Sequence, residues 1–227
     1  MKTHSKLLLA AFLGVLADHL LACGEVDAID LVAGDIALEP LDLRPHLLQR
    51  LSIINSPHPA TFLRELQHSP AQQAASAYMN FLCRPDAAAL LAENDFQRLW
   101  PFFTNMGAAD GPHAWLTNAV KAQYREVWGQ GLDGALNYYR ASPLRPATAS
   151  DPGAQAVTLP REMLEVSVPT HVLWALDDTA LPPGLLDGLA DHVPELHLTR
   201  LAGATHWVVH EQPQAVTAWL AGALGKV

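Results

Sequence analysis

The chain has 227 residues, enough for one large domain or two small ones, and half of them are hydrophobic, so a sizeable core can be buried. Its 23 acidic against 14 basic side chains give a net charge of −9, the wrong sign for a phosphate-binding surface, which sets nucleic acid aside as a partner. The two cysteines, Cys23 and Cys83, can make neither a disulfide framework nor a four-ligand zinc site, so a reduced, cytoplasmic protein is the default expectation.

Met1–Lys6 carries two lysines and Leu7–Ala17 is an unbroken apolar run, the charge-then-apolar order of a secretory signal. Leu20-Leu21-Ala22-Cys23 has the outline of a lipoprotein cleavage box, whereas Asp18 and His19 interrupt the run before it reaches the roughly 20 residues that span a bilayer. The competing expectation is a buried helix ending near Cys23-Gly24, with no membrane insertion, followed by a strand over Ala28–Ala33. Leu51–Ile54 reads as a buried strand, closed by Asn55-Ser56-Pro57-His58-Pro59, whose prolines forbid its continuation. From Ala60 to about Tyr139 the apolar residues take helical spacing (Phe62, Leu63, Leu66; Tyr78, Phe81, Leu82; Leu90, Leu91, Phe96), which predicts an all-helical insert. Ser142–Pro160 is rich in Pro, Ala, Ser, Thr and Gly and reads as a linker.

Alternation then returns: a strand over Val168–Ala175, a helix over Pro183–His192, a strand over Glu195–Leu201 and an amphipathic helix over Gln212–Leu224. Strands alternating with helices imply a parallel sheet with right-handed crossovers. The expected fold is therefore α/β, a parallel sheet divided between residues 1–59 and 160–227, with a helical block and linker at 60–159.

In open parallel sheets reactive groups collect beyond the carboxyl ends of the strands. Asp177-Asp178 follows the first C-terminal strand and His206 the second, with room for one crossover between them, so an acid orienting a histidine base is expected on adjacent loops. His206 and His210 stand four residues apart but lack a His-Glu-x-x-His frame, so metal binding finds little support.

Gly203-Ala204-Thr205-His206-Trp207-Val208-Val209-His210-Glu211-Gln212-Pro213 resembles the terminal histidine segment of α/β-hydrolases, and Leu173-Trp174-Ala175-Leu176-Asp177-Asp178-Thr179-Ala180-Leu181-Pro182 resembles their acid segment. Asn55-Ser56-Pro57-His58-Pro59-Ala60-Thr61-Phe62 is similar to the loop entering the cap in the epoxide hydrolase and dehalogenase branch. Asn137-Tyr138-Tyr139-Arg140 resembles the cap motif that carries a tyrosine in epoxide hydrolases. The resemblance implies a cofactor-free, two-step hydrolysis of a small apolar epoxide under a helical cap. A carboxylate opens the ring and forms an ester, and a histidine held by an acid activates water to cleave it. It implies His206 as base, Asp178 as its acid, and Tyr139 with Tyr78 as donors to the epoxide oxygen.

The nucleophile stays open between two alignments. In one, Asp35 is the nucleophile, because Ala33 and Ala37 supply the small residues two before and two after it that a sharp strand-to-helix turn needs. In the other, Gly34-Asp35-Ile36-Ala37 falls just after the turn, the register runs on through Arg44-Pro45-His46-Leu47-Leu48, and the nucleophile is deleted. No Gly-x-Ser-x-Gly occurs, so a serine esterase has no support. The family's early strands and His-Gly loop also have no counterpart here. Either the chain is a truncated relative, or a partner or second copy covers the sheet edge this would expose. The rival functions are a dehalogenase acting on a halogenated substrate and a non-catalytic homologue.

Overall fold

The computed structural model describes Leu8–Leu9, Ile29–Ala33 and residues 48–223. Among these residues five strands form one sheet in chain order: β1 Leu8–Leu9, β2 Ile29–Ala33, β3 Leu48–Ile54, β4 Thr170–Ala175 and β5 Leu196–Leu201, each parallel to its neighbours. Between β3 and β4 the chain makes only helices and turns: α1 Pro59–His68, α2 Pro70–Ala75, α3 Tyr78–Leu82, α4 Ala87–Phe96, α5 Pro101–Thr104, α6 Asn118–Trp128 and α7 Asp133–Ala141. After β5 come α8 Val208–Glu211 and α9 Pro213–Ala223. This is the partial parallel sheet with an inserted helical block that the alternation of patterns implies.

The apolar run read as a helix opens instead as strand, with Leu8 beside Leu31 and Leu9 beside Val32. A run without polar residues has no visible period, so a buried helix and a strand covered on both faces look alike in sequence. The rest of that run, the Cys23 box and Asp35 lie outside the described residues. A second difference falls at Pro183–His192, where two short 3₁₀ turns, Pro183–Leu186 and Leu189–Asp191, replace the expected helix. Gly188 between them takes φ 70°, a left-handed conformation that breaks helical continuation at little cost for glycine.

Strand β4 is buried along almost its whole length, which explains its nearly unbroken apolar sequence. On one face Val172 and Trp174 join Leu51 and Ile53 of β3 against Leu181, Leu185, Leu186, Leu189 and Val193. On the other, Leu173 and Ala175 pack on Ala204, Val208 and Val216, with Trp219 and Leu220 at the margin. Burying side chains such as Leu51, Leu173 and Trp174 contributes roughly 1.5–3 kcal/mol each. The Ser142–Pro160 segment is irregular apart from a short turn at Gly153–Ala156, yet it is pinned to the protein. Leu144, Ala154, Val157 and Leu159 cover Leu63 and Leu66 of α1, and Gln67 Nε2 donates to the carbonyls of Ala154 and Val157.

His58 caps α1: its Nδ1 accepts from the Ala60 amide at 3.2 Å while its ring stacks on His192 at 4.9 Å. An accepting Nδ1 cannot carry a proton. In agreement, burial first and the neighbouring His192 second lower His58 from 6.5 to about 4, against an opposing backbone hydrogen bond at Leu164. The unfolded chain therefore binds this proton at a higher pH than the folded one. The stabilisation is complete above pH 6.5 and is lost as pH falls towards 4, by up to about 3 kcal/mol. His58→Asn keeps a capping acceptor and removes the titration. Denaturant melts at pH 7 and pH 5 are expected to show a smaller acid-induced loss in this variant than in the parent; equal losses would reject the assignment.

Candidate active site

The β4–β5 ladder does not stop where the strands end. Leu176 N donates to the Leu201 carbonyl at 2.9 Å and Asp177 N to the Ala204 carbonyl at 3.0 Å, so the two following loops stay in register. Gly203, at φ 69°, turns the second loop back across the sheet edge. The result brings His206 Nδ1 to 2.8 Å from Asp178 Oδ2.

Asp178 is buried and Asp177 is exposed, which separates the two neighbouring acids. The other oxygen of Asp178, Oδ1, accepts from the amides of Ala180 and Leu181 at 2.8 and 3.0 Å. The carboxylate is thus an acceptor in all of these contacts and cannot rotate without losing two backbone donors. An acceptor facing Nδ1 requires the proton on Nδ1, which makes Nε2 the basic nitrogen of the ring. His206 is itself largely buried, its side chain 10% exposed against 0% for Asp178.

A brace that sequence reading did not single out holds the residue before the histidine. Glu211 Oε2 accepts from Thr205 N at 2.8 Å and Oε1 from Thr205 Oγ1 at 2.6 Å. The signal was present as a threonine followed six residues later by a glutamate around a short helical turn, but that spacing is not a capping box and nothing local distinguishes it. His210 stands apart from the pair: its ring stacks on Trp115 at 4.0 Å and burial lowers it below the usual histidine range, with Glu211 pulling the other way. Among the described residues no group of three or more His, Cys, Asp or Glu side chains is placed to hold a metal ion. Among them, too, no helix is long and apolar enough to cross a membrane.

The two candidate tyrosines come from different helices and meet. Tyr78 of α3 and Tyr139 of α7 lie with ring centroids 6.1 Å apart, edge to face, and Tyr78 makes a second such contact with Phe102 at 5.4 Å. Tyr139 shares a helix face with the buried Leu136, three residues earlier, whereas Tyr138 is 39% exposed. The tyrosines connect to the histidine loop through Phe102, whose carbonyl accepts from the Trp207 indole at 3.2 Å. Trp207 also stacks on Phe103 at 4.6 Å and belongs to the aromatic cluster of the helical block. A second link ties that block to the acid loop: Gln72 Nε2 donates to the Ala180 carbonyl at 3.2 Å. Asp35 lies outside the described residues, two positions after Ala33, the last residue of β2.

No protein-family model matches the chain. It is 31% identical over 186 residues to the AB hydrolase superfamily protein YfhM of Bacillus subtilis, an alignment covering 81% of this chain and 59% of that protein. A crystal structure of the Bacillus megaterium epoxide hydrolase in complex with an inhibitor superposes with a TM-score of 0.76 at 28% identity, over 88% of this chain and 70% of that one. A structure of a novel epoxide hydrolase of the α/β-hydrolase superfamily, from metagenomes of hot environments, matches at 34% identity and a TM-score of 0.72, covering 93% of this chain and 71% of the other. The chain spans 59% of the length of YfhM and about half that of the other curated relatives it matches.

Replacing Glu211 with alanine strands both Thr205 donors. The expected cost is about 2 kcal/mol, read as a lower denaturant midpoint at unchanged slope; an unshifted midpoint would show that the brace contributes nothing.

Proposed function

The chain belongs to the α/β-hydrolase superfamily, in its epoxide hydrolase-like branch, and on that premise we propose that it hydrolyses small apolar epoxides without a cofactor. The observation that carries the reading is the buried Asp178–His206 pair, one residue from a tryptophan embedded in the cluster that also receives Tyr78 and Tyr139. In this scheme residues 1–59 and 160–227 are the core and 60–159 the cap and its linker.

Asp35 is the nucleophile in this proposal. What supports it is direction: β2, β3, β4 and β5 are all parallel, so they leave the sheet at one edge. Ala33 ends β2 at that edge beside Ile53, and two further residues reach at most about 7 Å. A carboxylate oxygen of Asp35 attacks an epoxide carbon, the ring carbon–oxygen bond breaks, and a hydroxyl of Tyr139 or Tyr78 protonates the departing oxygen. His206 Nε2 then takes a proton from water as the water oxygen adds to the ester carbonyl. The adduct collapses, the diol oxygen leaves with the proton from the imidazolium, and the carboxylic acid on Asp35 returns its proton through solvent to the tyrosinate. Asp178 holds the tautomer that step requires.

A second reading, dehalogenation by the same carboxylate chemistry, has one observation in its favour. The Trp115 indole N–H is buried without an acceptor, and an unpaired indole donor is suited to a halide.

The test is intact-protein mass spectrometry of His206→Gln after incubation with styrene oxide. A gain of one substrate mass on Asp35 is expected, and Asp35→Asn is expected to abolish both adduct and turnover. Halide release from chloroalkanes, with no epoxide adduct, would move the assignment to a dehalogenase. No adduct from either class in folded protein would leave a non-catalytic homologue. Among the tyrosines, the Tyr78→Phe, Tyr139→Phe double variant is expected to lose about 10²–10⁴ in kcat/KM, most of it in ester formation. Single-turnover kinetics that show the loss only in ester hydrolysis would remove the tyrosines from the ring-opening step.

A further inference from the structure

Asn55 follows β3 directly, between the strand that leads to Asp35 and the one that leads to Asp178. It is 5% exposed and sits at φ 45°, a left-handed conformation that asparagine tolerates far better than most residues. Its backbone amide still donates to the β4 ladder, at 3.0 Å from the Leu173 carbonyl. Its side chain goes further along the edge. Oδ1 accepts from the Ala175 amide at 2.7 Å and Nδ2 donates to the Thr205 carbonyl at 3.1 Å.

Those two contacts fall on the segments that deliver the acid and the base. Ala175 is the last residue of β4, three before Asp178, and Thr205 immediately precedes His206. With Glu211 holding the Thr205 amide and hydroxyl, and Asn55 its carbonyl, the peptide entering His206 is fixed from both sides. A primary amide carries its acceptor and its donor on two separate atoms of one short side chain, which is what lets Asn55 reach Ala175 and Thr205 together. A carboxylate would keep the Ala175 contact and set an oxygen against the Thr205 carbonyl.

We propose that Asn55 is a positioning residue for His206 that governs cleavage of the ester and not its formation. This rests on the reading above, in which His206 takes a proton from water in the second step only, while Asp35 and the tyrosines carry out the first. A base displaced by an ångström costs about 10²-fold in rate, and freeing the Thr205 carbonyl acts first on the residue joined to it, His206. A merely structural role would slow both steps together or lower stability alone.

The experiment compares Asn55→Asp and Asn55→Gly with the parent, and with His206→Gln as the trapped reference. Rapid-quench mass spectrometry with styrene oxide measures ester formation and decay separately. Expected are an ester decay slowed at least about tenfold, formation within about threefold of the parent, and a larger steady-state fraction of ester. Parallel loss in both steps, or unchanged decay in folded protein, would overturn the proposal. A readout without substrate separates it from the epoxide assignment. The His206 Nδ1 proton, bonded to Asp178, is expected as a low-field proton resonance that broadens or disappears in Asn55→Gly while the fold melts within a few degrees of the parent. An unaltered resonance overturns the positioning role, even if His206→Gln forms no adduct and the epoxide reading has failed. Should Asn55→Gly not fold, the same resonance is read in Asn55→Asp, which retains the acceptor for Ala175.

Discussion

Parallel pairing of β3, β4 and β5 sends every strand out of the sheet on the same side, and the candidate site is what the chain does with that crowding. The hydrogen-bond ladder between β4 and β5 runs on into the loops through Leu176 and Asp177, so the acid and the histidine are delivered by continuation of the sheet. Apolar burial on both faces of β4 holds the ladder in place, with Trp174 and Leu173 pointing to opposite layers. A slip of one residue would exchange those layers and carry Asp178 out of reach of His206. Register, burial and site geometry are therefore one constraint seen at three scales.

The helical block draws its order from aromatic contacts in place of long helices. Its elements are short, and α4 breaks at Glu93–Asp95, where Asn94 and Asp95 adopt left-handed φ angles. Phe96, Trp100, Phe103, Trp115, Tyr124 and Trp128 interlock with centroids mostly 5–6 Å apart, the range in which edge-to-face and offset arrangements are favourable. Short helices are marginal on their own, so the cluster supplies the tertiary support that their length cannot.

Much of this was legible in sequence because it is local. The strands at Leu51 and Leu173, the prolines that end β3, and the acid and histidine strings are all written in consecutive residues. Choosing Asp178 over Asp177 needed an alignment by resemblance; burial separates them physically, and burial depends on residues far along the chain. Pro183–His192 misled because its apolar spacing outweighed Gly188, whose left-handed turn decides the local structure. Leu8 and Leu9 were hidden in a run with no polar marker of period. The contacts of Asn55 with Ala175 and Thr205 span 120 and 150 residues, and no pattern in a single sequence points across such distances. Gln72 is similar: within α2 it is an ordinary helical glutamine, and only the fold sets it against Ala180.

Trp207 is covalently next to the histidine and physically part of the helical block's core. Helical blocks inserted in this way are attractive units for recombination, since one chain segment carries them in and out between β3 and β4. In this protein the exchange would cut through an interlocked joint: a grafted block must present a carbonyl where Phe102 stands and a ring where Phe103 stacks, or the residue after His206 loses its socket. The natural breakpoint for a chimera thus lies in the pattern of partner surfaces and not in the primary sequence, and any swapped segment has to travel with a matching position 207.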